Sequence, residues 1–149
     1  MSNIGRKQNV QEHTFSTSDI TVSPAVDNGS IANIIDGNTA TECRLSTSGA
    51  ERGFYTFNLG TRKRIDRIKF KHGNNDKWRI ELSNTKGNFI IDKEVTFSDN
   101  FTNETFSIKL QTPFQYIRIS TVAEEDATGT LNKPRLFEFQ LFTYEMYDF

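Results

Sequence analysis

The segment Asp36-Gly37-Asn38-Thr39-Ala40-Thr41 holds the residue types and spacing that come nearest to a built chemical site. It supplies a carboxylate, a glycine that lets the backbone reverse tightly, and a hydroxyl five residues beyond the carboxylate. Such a loop curls several oxygens toward one point. Hard oxygen donors in a flexible loop suit Ca²⁺, which takes about 6–8 of them at roughly 2.3–2.6 Å. Glu138 points the same way, because it stands among Leu136, Phe137 and Phe139, where an unpaired carboxylate is costly. The other reading is a metal-free turn capped by Asp36.

Other chemistry is thinner. Arg62, Lys63, Arg64, Arg67, Lys69, Lys71, Lys77 and Arg79 make a basic cluster opposed only by Asp66 and Asp76. It reads either as a surface for phosphate, sulfate or sialic-acid groups or as a solvated strand face, with Glu124-Glu125-Asp126 compensating elsewhere. Cys43 can be imagined beside His13 or His72, but no third group is present to activate it, and a small core residue is the simpler role. No phosphate loop, zinc spacing or nucleophile elbow occurs, so the sequence does not predict an enzyme.

The chain of 149 residues is the length of one domain. Apolar residues make up 35%, yet thirteen Phe, four Tyr and one Trp let few side chains supply much of a core. A formal charge of −1 gives no general attraction to nucleic acid or to an anionic membrane. The single cysteine excludes an internal disulfide. Met1 to Val10 is polar without an apolar run behind Arg6 and Lys7, so it does not read as a signal peptide, and no stretch reaches the roughly 20 apolar residues of a membrane helix. The expectation is synthesis in the cytoplasm without a membrane span. The sequons at Asn28, Asn100 and Asn103 read as chance in an Asn-rich chain.

These residues must be positioned by strands. Residues 1–13 lack periodicity and are read as a flexible arm, with a folded domain over 14–149. Period-two alternation then recurs. Tyr55, Phe57 and Leu59 share one face, as do Ile68 and Phe70, then Trp78, Ile80 and Leu82, then Phe106, Ile108 and Leu110, and then Ile117 and Ile119. Near the C-terminus Phe137, Phe139 and Leu141 face away from Leu136, Glu138, Gln140 and Phe142. Trp78 is in register with Ile80 and Leu82, which favours the core over a stacking platform. Only Ser30 to Ile35 suggests a helical turn. Many short antiparallel strands divided by turns predict an all-β sandwich or barrel.

Four segments in order resemble the discoidin, or coagulation factor type-C, family of galactose-binding-like domains, which includes family 32 carbohydrate-binding modules. Ile31 to Thr41 is similar to the A-x-x-A-x-D-G-N-x-x-T box, and Phe54 to Gly60 to the W-x-x-V-D-L-G strand. Ile65 to Ile68, Trp78 to Ser83 and Gly87-Asn88-Phe89 follow the family's strand, strand, S-x-D-G-x-W rhythm. Tyr116 to Ile119 with Leu136 to Leu141 resembles Y-V-R-I followed by I-x-E-I-E-V. The chain departs where Cys43 replaces the usual Trp and where the bracketing disulfide is missing, which places it nearer to microbial, viral or intracellular relatives than to clotting factors.

The resemblance implies an antiparallel jelly-roll β-sandwich of about eight main strands and a non-catalytic binding module. It implies one structural Ca²⁺ held by the Asp36 side chain, Thr41, carbonyls of Asn33 and Asn38, and Glu138. Ligand sites of the family lie on loops at one end of the sandwich, which makes Arg44, Arg52, Phe54, His72, Asn74, Asn75, Asp76 and Arg79 the candidates here. Three roles follow as expectations: recognition of carbohydrate or attachment to a glycan-bearing surface, as in adhesion; a structural virion component, such as a capsid decoration, fibre or tail protein, docked on neighbouring subunits through the N-terminal arm; and an intracellular protein-docking module. Nucleic acid is not an expected partner.

Overall fold

The computed structural model describes residues 6–46, 53–73, 77–96, 103–107, 110–121 and 133–148. Ten strands are found among them: β1 Arg6–Glu12, β2 Ile20–Ser23, β3 Val26–Gly29, β4 Cys43–Leu45, β5 Phe54–His72, β6 Lys77–Ser83, β7 Ile90–Thr96, β8 Asn103–Ser107, β9 Phe114–Thr121 and β10 Arg135–Asp148. Every pairing is antiparallel. A front sheet runs β3, β4, β10, the second half of β5, and β8, with β1 alongside β10. A back sheet runs β2, the first half of β5, β9, β6 and β7.

The two alternating runs expected around Tyr55 and Ile68 are thus one 19-residue strand that leaves the back sheet and enters the front one. The crossing falls at Gly60, whose φ of 82° is the left-handed conformation that glycine tolerates best, and the Asn58 side chain accepts its N–H at 2.8 Å. Both ends of β5 therefore lie at one pole of the sandwich and the crossing lies at the other.

Between the sheets sits an aromatic core. Phe57 from the back sheet stacks on Phe139 from the front one with ring centroids 3.8 Å apart, and Trp78 meets Phe70 edge-on at 5.6 Å. Tyr55, Phe57, Phe70 and Trp78 are fully buried, as are Ile68, Ile80, Ile117 and Ile119, so the alternation read from the sequence places them correctly. Rings of this size bury roughly 150–250 Å² each, which is how a chain of modest apolar content closes a core. The expected turn at Ser30 to Ile35 is a 3-10 turn over Ile31–Ile34 that seats Ile34 in the core.

Three expectations need correction. The arm of residues 1–13 is not a free appendage over its described part, since Arg6–Glu12 pairs along Phe142–Asp148 of β10. Its side-chain pattern carries no hydrophobic signal because the main chain does the pairing. In β10 the register slips between Leu136 and Glu138, where Phe137 is the extra residue. Leu136, Phe139 and Leu141 therefore face the core, while Phe137 lies outside it under the Lys71 ammonium, 5.0 Å from the ring centre. Finally, Glu81 and Ser83 of β6, which alternation turns outward, opposite Ile80 and Leu82, are buried at 3% exposure each.

Candidate functional site

Two regions hold the sequence-derived candidates. The first is a shoulder on the front sheet. The Ile31–Ile34 turn delivers the chain into Asp36 to Thr41, and the neighbouring strand β10 brings up Glu138. Asp36 Oδ1 accepts the Asn38 N–H at 2.8 Å, and Asp36 Oδ2 accepts the Thr41 hydroxyl at 2.6 Å. The same hydroxyl lies 3.1 Å from the Asn38 carbonyl oxygen, so three oxygens crowd together. Glu138 Oε2 closes the group by accepting the Gly37 N–H at 3.1 Å.

The electrostatics of the pair are unequal. Hydrogen bonding, from Thr41 first, holds Asp36 below the usual carboxylate range. Glu138 is half-buried, and burial together with the facing Asp36 charge pushes its pKa up to about 7. Asp36, Asn38, Thr41 and Glu138 are thus brought together as expected. Asn33 stands beside them, but its side-chain amide is spent on the Glu42 carbonyl oxygen at 2.8 Å. All the convergent donors are hard oxygens, two of the groups being carboxyls, which is the donor chemistry of Ca²⁺. Among the described residues no three His, Cys, Asp or Glu side chains gather, as a nitrogen- or sulfur-bound metal would want.

The shoulder is pinned from outside by Lys71 Nζ, which donates to the Thr39 carbonyl at 2.8 Å. Beneath it Gly29 has φ 78°, and an added Cβ would lie 1.8 Å from the Glu42 carbonyl oxygen. No sequence motif flagged this glycine. It permits the backbone approach on which the Asn33–Glu42 bond rests.

The second region is the pole where β5 begins and ends. The ends of β4, β7 and β9 and the starts of β6, β8 and β10 meet there, tied by Gly53 to Thr121, Leu45 to Pro134 and Gly73 to Arg135. Arg52, Asn74, Asn75 and Asp76 lie outside the described residues. The other four candidates are placed, but not at one spot. Arg44 is on the outer face of the front sheet, bonded through Nε to Asp27 at 2.7 Å. Phe54 and Arg79 are on the outer face of the back sheet. His72 is fully buried between the sheets with its Nδ1 2.9 Å from the Gly73 carbonyl oxygen and its ring 6.1 Å from Trp78, so its side chain is not offered to a surface ligand.

Phe54 belongs to an arrangement the sequence did not disclose. The Arg118 guanidinium lies between two rings, 4.6 Å from the centre of Phe54 and 4.2 Å from that of Phe89. It is also paired at 2.7 Å with Glu81, which takes a further bond from Ser120. Outward alternation placed Arg118 on this face, but nothing local to it names Phe89 as its cover. Arg135, paired with Glu42 at 2.8 Å, was missed likewise.

Cys43 is fully buried, and burial pushes its thiol pKa up to about 12, which removes the thiolate a nucleophile needs near neutral pH. No helix among the described residues is long and apolar enough to cross a membrane.

The structure is thus an antiparallel β-sandwich with a loop-bearing pole and an oxygen-lined shoulder on its front sheet. The F5/8 type C domain model matches residues 8–133, and the chain belongs to that family. Among solved structures it is similar to the CBM32 of AlyQ in complex with 4,5-unsaturated mannuronic acid, with 24% identity, a TM-score of 0.70, and 88% of this chain and 97% of that one covered. It is also similar to the family 32 CBM from C. perfringens NanJ in complex with galactose, at 18% identity and TM-score 0.65, covering 90% and 99%. A chitosan-binding module 1 from a chitosanase/glucanase of Paenibacillus sp. IK-5 follows at 20% identity and TM-score 0.66, covering 82% and 92%. No match is found among curated proteins.

Proposed function

We propose that this chain is a non-catalytic carbohydrate-binding module whose binding surface is carried by the loop-bearing pole, and whose shoulder holds one Ca²⁺ as a brace. The observation that carries the reading is the gathering of strand ends at one pole, with guanidinium groups on both outer faces beside it and an aromatic ring on the back one: Arg44 and Arg135 in front, Phe54, Arg79 and Arg118 behind. Sugars are bound by flat apolar faces and by fixed donors to hydroxyls, and these side chains supply both. Support comes from the sugar-binding modules named above, which share the fold over nearly their whole length.

In this reading Asp36, Asn38, Thr41 and Glu138 hold the ion with the carbonyl of Asn33. The ion supplies charge neutralisation, and the chain's own oxygens fix the shoulder against β10. Attachment to a glycan-bearing surface follows from the same site. An assembly subunit docked through an N-terminal arm loses its motive, because Arg6–Glu12 is engaged with β10.

A glycan array followed by calorimetry tests the proposal. Binding of a neutral or acidic sugar, lost in Arg79→Ala or in Arg44→Ala, is expected and identifies which wall of the pole is used. Absence of binding at millimolar sugar, with and without calcium, would sink it.

A further inference from the structure

The basic cluster of the sequence is not one surface. Arg67 lies over Phe142 and is paired with Asp66, Lys71 pins the shoulder loop, and Arg79 is on the back sheet. Ten residue steps separate Arg62 from His72, roughly 33 Å of extended strand. What remains together is Arg62, Lys63 and Arg64 at the crossing of β5, at the pole away from the loops.

There these residues line a cleft of about 240 Å³ with Gln11 of β1 and with Thr143 and Glu145 of β10. That is room for roughly eight waters. Arg64 is fixed by its Nε bond to the Gln111 carbonyl at 2.9 Å, and Tyr144 is fixed to the Leu110 carbonyl at 2.8 Å, so the wall is rigid. Arg62 is exposed and Lys63 half-buried, and neither enters an ion pair among the described residues. Among the described residues Glu145 is the one acid lining the cleft. The positive field reaches beyond it, since Lys63 adds to burial in holding His13 below the usual imidazole range.

We propose that this cleft is a second binding site, taking a carboxylate or sulfate group of an acidic saccharide. Two cations that enter no ion pair among the described residues supply charge-assisted bonds to an oxyanion, and Gln11 and Thr143 supply the neutral polar groups that sugar hydroxyls match. A nucleic-acid backbone is a poorer fit, because such complexes neutralise many phosphates along an extended basic surface, and the cluster here is three residues in a hollow. The site lies at the opposite pole from the loops and stands whether or not those bind sugar.

The test is an amide-resolved NMR titration of the intact chain, with calorimetry, using an oligouronate, a sulfated disaccharide, inorganic phosphate, neutral galactose and a short DNA duplex. An acidic saccharide is expected to shift the Gln11 and Thr143 amides, galactose to leave them still, and added salt to weaken the effect. Arg62→Gln with Lys63→Gln weakens binding about tenfold or more, and Glu145→Gln tightens it. The proposal is overturned if no acidic saccharide shifts those amides, or if the double variant binds as before. It is equally overturned if inorganic phosphate binds as well as the saccharide, or if DNA binds better through the same residues.

Discussion

Glu81 and Glu138 are both glutamates on outer sheet faces, each removed in part from water, and they are treated in opposite ways. Glu81, on the back sheet, is 3% exposed and has Arg118 on one oxygen and Ser120 on the other. Glu138, on the front sheet, is half-buried against Asp36, shares a side-chain hydrogen bond with it and accepts the Gly37 N–H. One carboxylate is answered by a cation of the chain. The other faces a like charge and a group of oxygens. Within one sandwich, then, the buried back-sheet carboxylate is answered inside the chain, and the front-sheet one is answered from solution only in the proposal that the shoulder holds Ca²⁺.

Removing the internal cation's partner should have the largest effect. Glu81→Ala leaves Arg118 held between two rings with its counter-charge gone, and should cost about 2–3 kcal/mol in urea unfolding. Replacing both partners, Glu81→Leu with Arg118→Met, should recover much of that loss, because a buried pair is dear to break and cheap to replace whole. Equal losses in the single and double variants would show that the pair is not the unit. Removing the external cation comes next. If Ca²⁺ is present at a hundredfold over its dissociation constant, a chelator should lower stability by about 2.7 kcal/mol. For a chain of this size that is roughly 5–10 °C in the melting midpoint. An unchanged midpoint counts against a calcium of useful affinity.

The comparison also explains what the sequence made legible. The shoulder was readable because its parts lie close in the chain: Asp36, Gly37, Asn38 and Thr41 form one loop, and Glu138 stands out as an acid among apolar neighbours. The core was readable for the same reason, since period-two alternation is local and Tyr55, Phe57, Trp78 and Ile80 obey it. The back-sheet pairing of Glu81 was not. Its parity says outward, and only Arg118, thirty-seven residues on, and the cover from Phe89 make it buried. Parity itself failed in β10, where one extra residue at Phe137 moves Leu136 inward. The polar strand β1 left no trace, because an edge held by main-chain bonds needs no hydrophobic pattern. The basic run misled through contiguity, since a strand that changes sheets carries Arg62 and Lys71 to different ends of the molecule.

The smallest effect discriminates best, because its sign reverses between the two glutamates. At pH 8, above the value of about 7 to which Glu138 is pushed, both it and Asp36 carry charge. In chelator, Glu138→Gln removes that repulsion, and its amide oxygen can still accept the Gly37 N–H. The variant should therefore be more stable than the parent, by less than about 1 kcal/mol because the site is half open to water and screened. Adding calcium should then raise the parent's midpoint and move the variant's little, so the order of the two proteins inverts between the two conditions. Glu81→Gln under the same pair of conditions should lose stability in both. Only a carboxylate whose partner comes from solution can exchange the sign of its contribution in this way, and a Glu138→Gln variant destabilised in chelator would place its partner within the chain instead.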